Sequence, residues 1–193
     1  MTGNDIVDIQ VAATESNWRR KGFLEKIFTQ QEQEYIFHAA LPDSMVWRLW
    51  TMKESAYKIF TRQYGGRFFA PNKFNCTLLC DTTGLVRFNN ISYQTITITA
   101  KDHIYTIATA GETKSSEFIN SCFCLPETDP KKQQQYVYKK IIECYKSLTV
   151  EPKKNIAVNK DKNGIPFLNC SNNLQIPVSI THHGRFAAFT ILK

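Results

Sequence analysis

The chain has 193 residues, enough for one domain or two small fused halves, and 42% of them are hydrophobic, which excludes wholesale disorder. A formal charge of +7 suits an anionic partner (nucleic acid, a phosphorylated small molecule, an acidic protein or a membrane face) without choosing among them. Six cysteines without a C-x-x-C, no signal-peptide pattern at the N-terminus and no apolar run near ~18 residues predict a cytoplasmic protein with free, mostly buried thiols.

Residues 3–11, G-N-D-I-V-D-I-Q-V, alternate as a strand with Asp5, Val7, Ile9 and Val11 on one face. A carboxylate on that apolar side calls for a partner or a metal. Thr29 and Glu32 form a capping box, T-x-x-E, which starts a helix near Gln30. After the break at Pro42, with Asp43 or Ser44 as cap, a second helix runs to about Thr61 and ends at Tyr64-Gly65-Gly66. Residues 73–110 read as an antiparallel meander of β-branched and aromatic strands. Residues 112–116 form a polar connector. Asp129 and Pro130 open a helix whose buried stripe is Val137, Ile141, Cys144 and Leu148. From Asn155 the pattern returns to strands, with a turn at residues 160–164. The order predicts an α+β fold with a helix packed on an antiparallel sheet in each half.

On a helical wheel the second helix splits in two. Met45, Leu49, Met52, Ala56 and Ile59 form a core column, while Trp47, Trp50, Glu54 and Lys58 form a stripe on roughly the opposite side. Spacing alone leaves two readings of that stripe. One is a surface Glu54–Lys58 pair worth only ~0.3–0.5 kcal/mol. The other is a face covered by a second surface or a ligand, since two exposed tryptophans would leave a large apolar patch. Glu54 paired with Asp5 would offer two hard oxygen ligands, a set that suits Mg²⁺ completed by water and phosphate.

G-N-D-I-V-D-I and W-T-M-K-E-S-A-Y-K resemble the two signature motifs of the 4'-phosphopantetheinyl transferases, a G-x-D strand and a W-x-x-K-E-[AS]-x-x-K helix. The strand is most similar to the holo-acyl-carrier-protein synthase branch. G-I-P-F-L and S-I-T-H-H-G resemble two further elements, a G-[KR]-P turn and an S-x-[ST]-H strand.

The resemblance implies an Mg²⁺-dependent transfer of 4'-phosphopantetheine from coenzyme A to a serine of an acidic apo carrier protein. Asp5 and Glu54 would be the metal ligands, with Val7 standing where longer members carry a second strand carboxylate. Lys58 would meet the coenzyme phosphates, and Glu54 or a metal-polarised water would be the base. Lys53 matches the lysine before the glutamate, and Thr181 and His182 match the motif that grips coenzyme A. Ile165 departs from the basic residue of the turn, and Lys160 or Lys162 would supply that charge. Without the resemblance, T-H-H-G reads equally as a structural turn. His183 faces the other way along the strand and is read as peripheral. Lys131, Lys132, Lys139, Lys140, Lys153 and Lys154 read as a solvated face that could also meet an acidic carrier.

One domain of two pseudo-symmetric halves is expected. Residues 1 to about 115 would bind the metal and about 116 to 193 would grip the coenzyme. The protein would act as a monomeric pseudo-dimer, with a trimer as the alternative, and no nucleic acid or membrane partner is expected. The rival functions are a basic nucleic-acid-binding module and a non-catalytic coenzyme A or carrier binder on the same fold.

Overall fold

The computed structural model describes residues 1–111, 117–126, 128–148, 155–170 and 174–192. The connector expected at 112–116, the boundary expected near residue 115, and Lys153 and Lys154 lie outside them.

Strand β1 (Thr2–Asp8) is buried along its whole length, on both faces. It stops at Asp8, whose Oδ1 accepts the N–H groups of Gln10 and Val11 at 3.1 and 3.4 Å. This cap starts helix α1 (Ile9–Glu15), so Ile9, Gln10 and Val11 are helical and the strand expected over 3–11 is shorter. Helix α2 (Phe23–Ile27) follows, then α3 (Gln30–His38), which opens with the expected capping box of Thr29 and Glu32. Helix α4 (Pro42–Tyr64) has Pro42 in its first turn and no side-chain cap. The Asp43 carboxylate is taken instead by the Trp18 indole at 2.7 Å and the Arg19 guanidinium at 2.9 Å. The helix ends at Gly65, where φ is 72°.

The meander forms as expected: β2 (Asn75–Leu78), β3 (Thr83–Phe88), β4 (Ile91–Thr99) and β5 (His103–Ala110). Strand β1 joins it antiparallel to β5, giving the sheet order β1-β5-β4-β3-β2. Leu49, Met52, Ala56 and Ile59 of α4 are fully buried in one core with Val86, Tyr93, Ile104 and Ala108 of that sheet. Burial of the larger aliphatic side chains among them contributes ~1.5–3 kcal/mol each.

A second antiparallel sheet has the order β6-β10-β9-β8-β7. Its strands are β6 (Phe118–Cys124), β7 (Ala157–Lys160), β8 (Pro166–Asn169), β9 (Gln175–His183) and β10 (Phe186–Leu192). Helix α5 (Pro130–Ser147), capped by Asp129, packs on it through Val137, Ile141 and Tyr145. Tyr145 takes the place expected of Leu148, which lies past the helix end and is exposed. The two sheets meet where Ile6, Tyr105 and Ile107 pack against Phe118, Phe186 and Ala188. The fold is α+β, built from two five-stranded antiparallel sheets with helices.

All six cysteines are free, but only Cys76 and Cys170 are buried; Cys80 and Cys124 are exposed, against the expectation of mostly buried thiols. Among the described residues no helix is long and apolar enough to cross a membrane.

The contact between β1 and α4 explains the glycine of G-N-D. A Cβ on Gly3 would collide with the Ser55 carbonyl oxygen and lie 3.0 Å from Ile59 Cγ1. Ser55 itself is tied down, donating to the Thr51 and Thr106 carbonyls at 2.7 and 3.0 Å. The helix backbone therefore cannot yield cheaply. Gly3→Ala should cost about 3 kcal/mol or more through overpacking, lowering the melting temperature by roughly 10 °C in calorimetry. An unchanged melting temperature would show that the helix and strand can separate freely.

Candidate functional site

Strand β1 is the edge of the first sheet, and side chains of β9 close that edge. The Asn4 N–H donates to Ser179 Oγ at 3.2 Å, and the Asp8 N–H donates to His183 Nδ1 at 2.9 Å. Between them Thr181 Oγ1 donates to Asp5 Oδ1 at 2.9 Å. Ser179, Thr181 and His183 alternate along β9, so all three reach β1 from one face. Because His183 Nδ1 accepts from an amide, the ring proton of the neutral form sits on Nε2, 3.7 Å from Glu15 Oε2.

The β9–β10 turn adds an ion pair. Arg185 Nε and Nη2 donate to Asp8 at 2.8 and 2.9 Å, and the Arg185 N–H adds a third bond at 3.0 Å. This guanidinium fork holds the Asp8 carboxyl well below the usual carboxylate range.

Helix α4 supplies the rest. Lys58 Nζ donates to the Asn4 carbonyl at 2.7 Å and to Asp5 Oδ1 at 2.9 Å. Asp5 Oδ1 thus carries two donors, while Oδ2 has none among the described residues. One turn earlier, Glu54 has no hydrogen-bond partner among the described residues. Burial first, then the negative charge of Asp5, raises its pKa to about 7, with Lys58 opposing. Asp5, Glu54, Trp47, Trp50, His182 and His183 line one cleft of about 390 Å³. The exposed side chains of Arg20 and Lys26 also border it, Lys26 Nζ standing 5.3 Å from the Phe69 ring. The Trp47–Trp50–Glu54 side of the helix is therefore a covered face and not a solvent one.

The cleft fits a hard cation. Two carboxylates repel each other there, and among the described residues one of them has no donor and the other keeps a free oxygen. Among the described residues no cluster of three ligating side chains exists. Such a donor pair suits Mg²⁺, which keeps several waters, better than a metal that needs a full protein cage.

Other expected site residues stand elsewhere. Lys53 is almost fully buried, and its ammonium donates to Glu32 Oε1 at 2.8 Å and to the Pro71 and Phe74 carbonyls. Three donors meet three acceptors, so Lys53 is committed to holding α3 and the Pro71–Lys73 turn on α4, with nothing left for a coenzyme. Glu32 is its counterpart, capping α3 and accepting the Cys76 N–H at 2.6 Å. Thr181 is buried on Asp5 and away from open solvent. Lys162 is exposed on the 161–164 turn and does not border the cleft. His182 is exposed at the end of β9 and does border it.

The sequence reading missed Arg20, Lys26, Phe69 and the Asp8–Arg185 pair, and it set His183 aside as peripheral. The alternation of S-I-T-H-H held a usable signal, since Ser179, Thr181 and His183 share a face. No local signal tied Arg185 to Asp8.

Compared with known families, residues 1–110 match the family model of the 4'-phosphopantetheinyl transferase superfamily. Among solved structures the chain is similar to the holo-[acyl-carrier-protein] synthase of Thermotoga maritima. The TM-score is 0.45 and the identity 9%, covering 90% of this chain and 83% of that one. No curated protein sequence matches the chain.

The raised pKa of Glu54 has a stability consequence. The folded state binds this proton more tightly than the unfolded chain, so stability is full below about 4.5 and falls as pH rises through about 7. In metal-free buffer Glu54→Gln should therefore be more stable than the parent near pH 8, by on the order of 2 kcal/mol after allowing for partial exposure, with the gap closing near pH 4.5. Adding Mg²⁺ near pH 8 should raise the melting temperature of the parent and leave the variant unmoved. Scanning calorimetry at both pH values reads this directly; equal stabilities near pH 8 would mean that Glu54 is not a strained carboxylate.

Proposed function

The chain belongs to the 4'-phosphopantetheinyl transferase superfamily, and from that premise we propose that it transfers 4'-phosphopantetheine from coenzyme A to a serine of an apo carrier protein. The observation that supports this reading best is the under-satisfied pair Asp5 and Glu54 in one cleft, with Lys58 laid against Asp5. A basic chain of charge +7 favours both an anionic coenzyme and an acidic carrier.

In this reading Asp5 and Glu54 would hold Mg²⁺, and the ion would supply positive charge beside the pyrophosphate. The serine oxygen attacks the β-phosphorus of coenzyme A. The bond from that phosphorus to the bridging oxygen breaks, and 3',5'-ADP leaves with the electron pair. Glu54, or a water beside it, receives the serine proton. Lys58 shares its ammonium between Asp5 and a phosphate oxygen, adding positive charge where negative charge develops. His182, at the exposed end of β9, contacts a coenzyme phosphate. Lys53 serves the site only by fixing the turn of α4 that carries Glu54.

The half supplied by residues 1–110 gives Asp5, Glu54 and Lys58, and β9 gives Thr181 and His182. One chain thus holds every member of the proposed site, which favours an enzyme acting as a monomer.

The test is transfer itself. With coenzyme A, Mg²⁺ and a panel of apo carriers, intact-mass measurement should show one phosphopantetheine gained by at least one carrier. Glu54→Gln should slow the reaction by roughly 10²–10⁴-fold and Lys58→Ala by roughly 10²-fold or more. Lys53→Met should act through lost stability and leave the KM for coenzyme A near that of the parent. No gain on any carrier, or full activity in Glu54→Gln, would contradict the reading.

A further inference from the structure

Strand β6 ends in two thiols that the transfer chemistry does not use. Cys122 and Cys124 are two residues apart, so both side chains leave the strand on one face. That face is turned to the first sheet, where Cys122 packs on the cluster of Ile6, Tyr105, Phe186 and Ala188. In register, Cys122 stands opposite Ala188 and Cys124 opposite Phe186. Cys122 is half-buried and Cys124 is exposed. Among the described residues β6 is also the edge of its sheet, paired with β10 on one side.

Charge surrounds the pair. The Arg185 guanidinium faces Asp8 first, then Asp102 and the Cys124 thiol. Burial, together with Cys124 and Asp102, pushes the Cys122 thiol up to about 11. Cys124 is thus an open thiol beside a cation, the setting in which a cysteine reacts, and Cys122 is a protonated thiol held behind it. Cys76 and Cys170 are buried inside the two cores, out of reach of an oxidant in solvent.

The backbone links this pair to the carboxylate cleft. Two steps along an antiparallel strand span about 6.8 Å, the upper end of the ~4.4–6.8 Å between Cα atoms that a disulfide bridges. A bond between Cys122 and Cys124 therefore shortens the end of β6. The next residue, Leu125, donates its N–H to the Arg185 carbonyl at 2.7 Å. Arg185 in turn holds Asp8, and Asp8 caps α1 through the Gln10 and Val11 N–H groups. Ala12 of α1 lines the cleft that holds Asp5 and Glu54. A pull at Cys124 is carried along this row of bonds to the wall of the cleft.

We propose that Cys122 and Cys124 form a redox site that glutathione disulfide, or a similar small disulfide, converts to an intrastrand disulfide, drawing Arg185 away from Asp8. The Cys124 sulfur attacks one sulfur of the oxidant. The S–S bond of the oxidant breaks, and its other half leaves as a thiol carrying the Cys124 proton. The Cys122 sulfur then attacks Cys124, and the second glutathione leaves as a thiol with the Cys122 proton. The protein gives up two electrons and two protons, and the oxidant is reduced to two thiols. A bond that is strained and exposed in this way is readily reversed by reduced glutathione. The site stands apart from the transfer reading and does not require it.

The test incubates the intact chain with glutathione disulfide, alkylates the remaining thiols and maps the peptides. Cys122 and Cys124 fall in one tryptic peptide, residues 115–131. The expected product is that peptide with an internal disulfide and no glutathione, returned to two thiols by dithiothreitol. Cys122→Ser should stop at a mixed disulfide of glutathione on Cys124, and Cys124→Ser should leave Cys122 unmodified. Because Cys122 must lose its proton to attack, closure should quicken about tenfold per pH unit between about pH 7 and 9. Hydrogen exchange at the Gln10 and Val11 amides should quicken about tenfold on oxidation, and Arg185→Ala should give the same rise in the reduced protein. Glutathione retained on Cys124 of the parent, or both thiols still free, overturns the redox site. A closed disulfide with unchanged exchange in α1 overturns its link to Arg185.

Discussion

The open edge of β1 is the constraint on which the rest depends. An edge strand leaves main-chain donors unpaired, and here the donors are buried against a second sheet. Two of them are met by side chains of β9: Ser179 takes the Asn4 N–H and His183 takes the Asp8 N–H. A backbone donor left unpaired at such a depth would cost roughly 1–3 kcal/mol, so these side chains fix how β9 lies along β1. Thr181, sitting between the two, is then delivered to Asp5 by the period of the strand. Arg185 locks the far end through Asp8.

The chemistry of the site follows from that placement. Asp5 projects from a strand buried on both faces, and α4 crosses so close above it that Gly3 can carry no side chain. The helix therefore sets Glu54 and Lys58 over the strand with little freedom. Lys58 neutralises part of the charge on Asp5, yet among the described residues Glu54 remains without a donor, and its pKa is raised to about 7. Natural cores avoid such a group unless it is used. The contrast with the preceding residue is instructive. Lys53 and Glu32 are more deeply buried, but every donor and acceptor between them is met, and they form a finished structural pair. A satisfied buried ion pair and an unsatisfied carboxylate one residue apart separate scaffold from site.

Much of this was legible in the sequence. The capping box at Thr29, the meander over 73–110, Pro130 as a helix opener and the two-faced α4 were all local signals, and all are present. The failures were local signals overruled by distant partners. Asp43 looked like a cap but is held by Trp18 and Arg19. Lys53 looked like a coenzyme contact through the motif resemblance, but one helical step of about 100° from Glu54 turns it into the core. The strand over 3–11 looked continuous because Ile9 and Val11 keep its alternation, while Asp8 in fact caps a helix. Arg20, Lys26 and Phe69 meet at the cleft only through the fold.

The central claim is that one chain, from its own two sheets, builds a complete phosphopantetheinyl transfer site around Asp5 and Glu54. The most direct measurement is the initial rate of phosphopantetheine gain by an apo carrier, read by intact mass over a thousandfold dilution of the protein. The account predicts a rate strictly proportional to protein concentration throughout. A rate per molecule that collapses on dilution would place part of the site on another copy, and no gain at any concentration would contradict the claim as a whole.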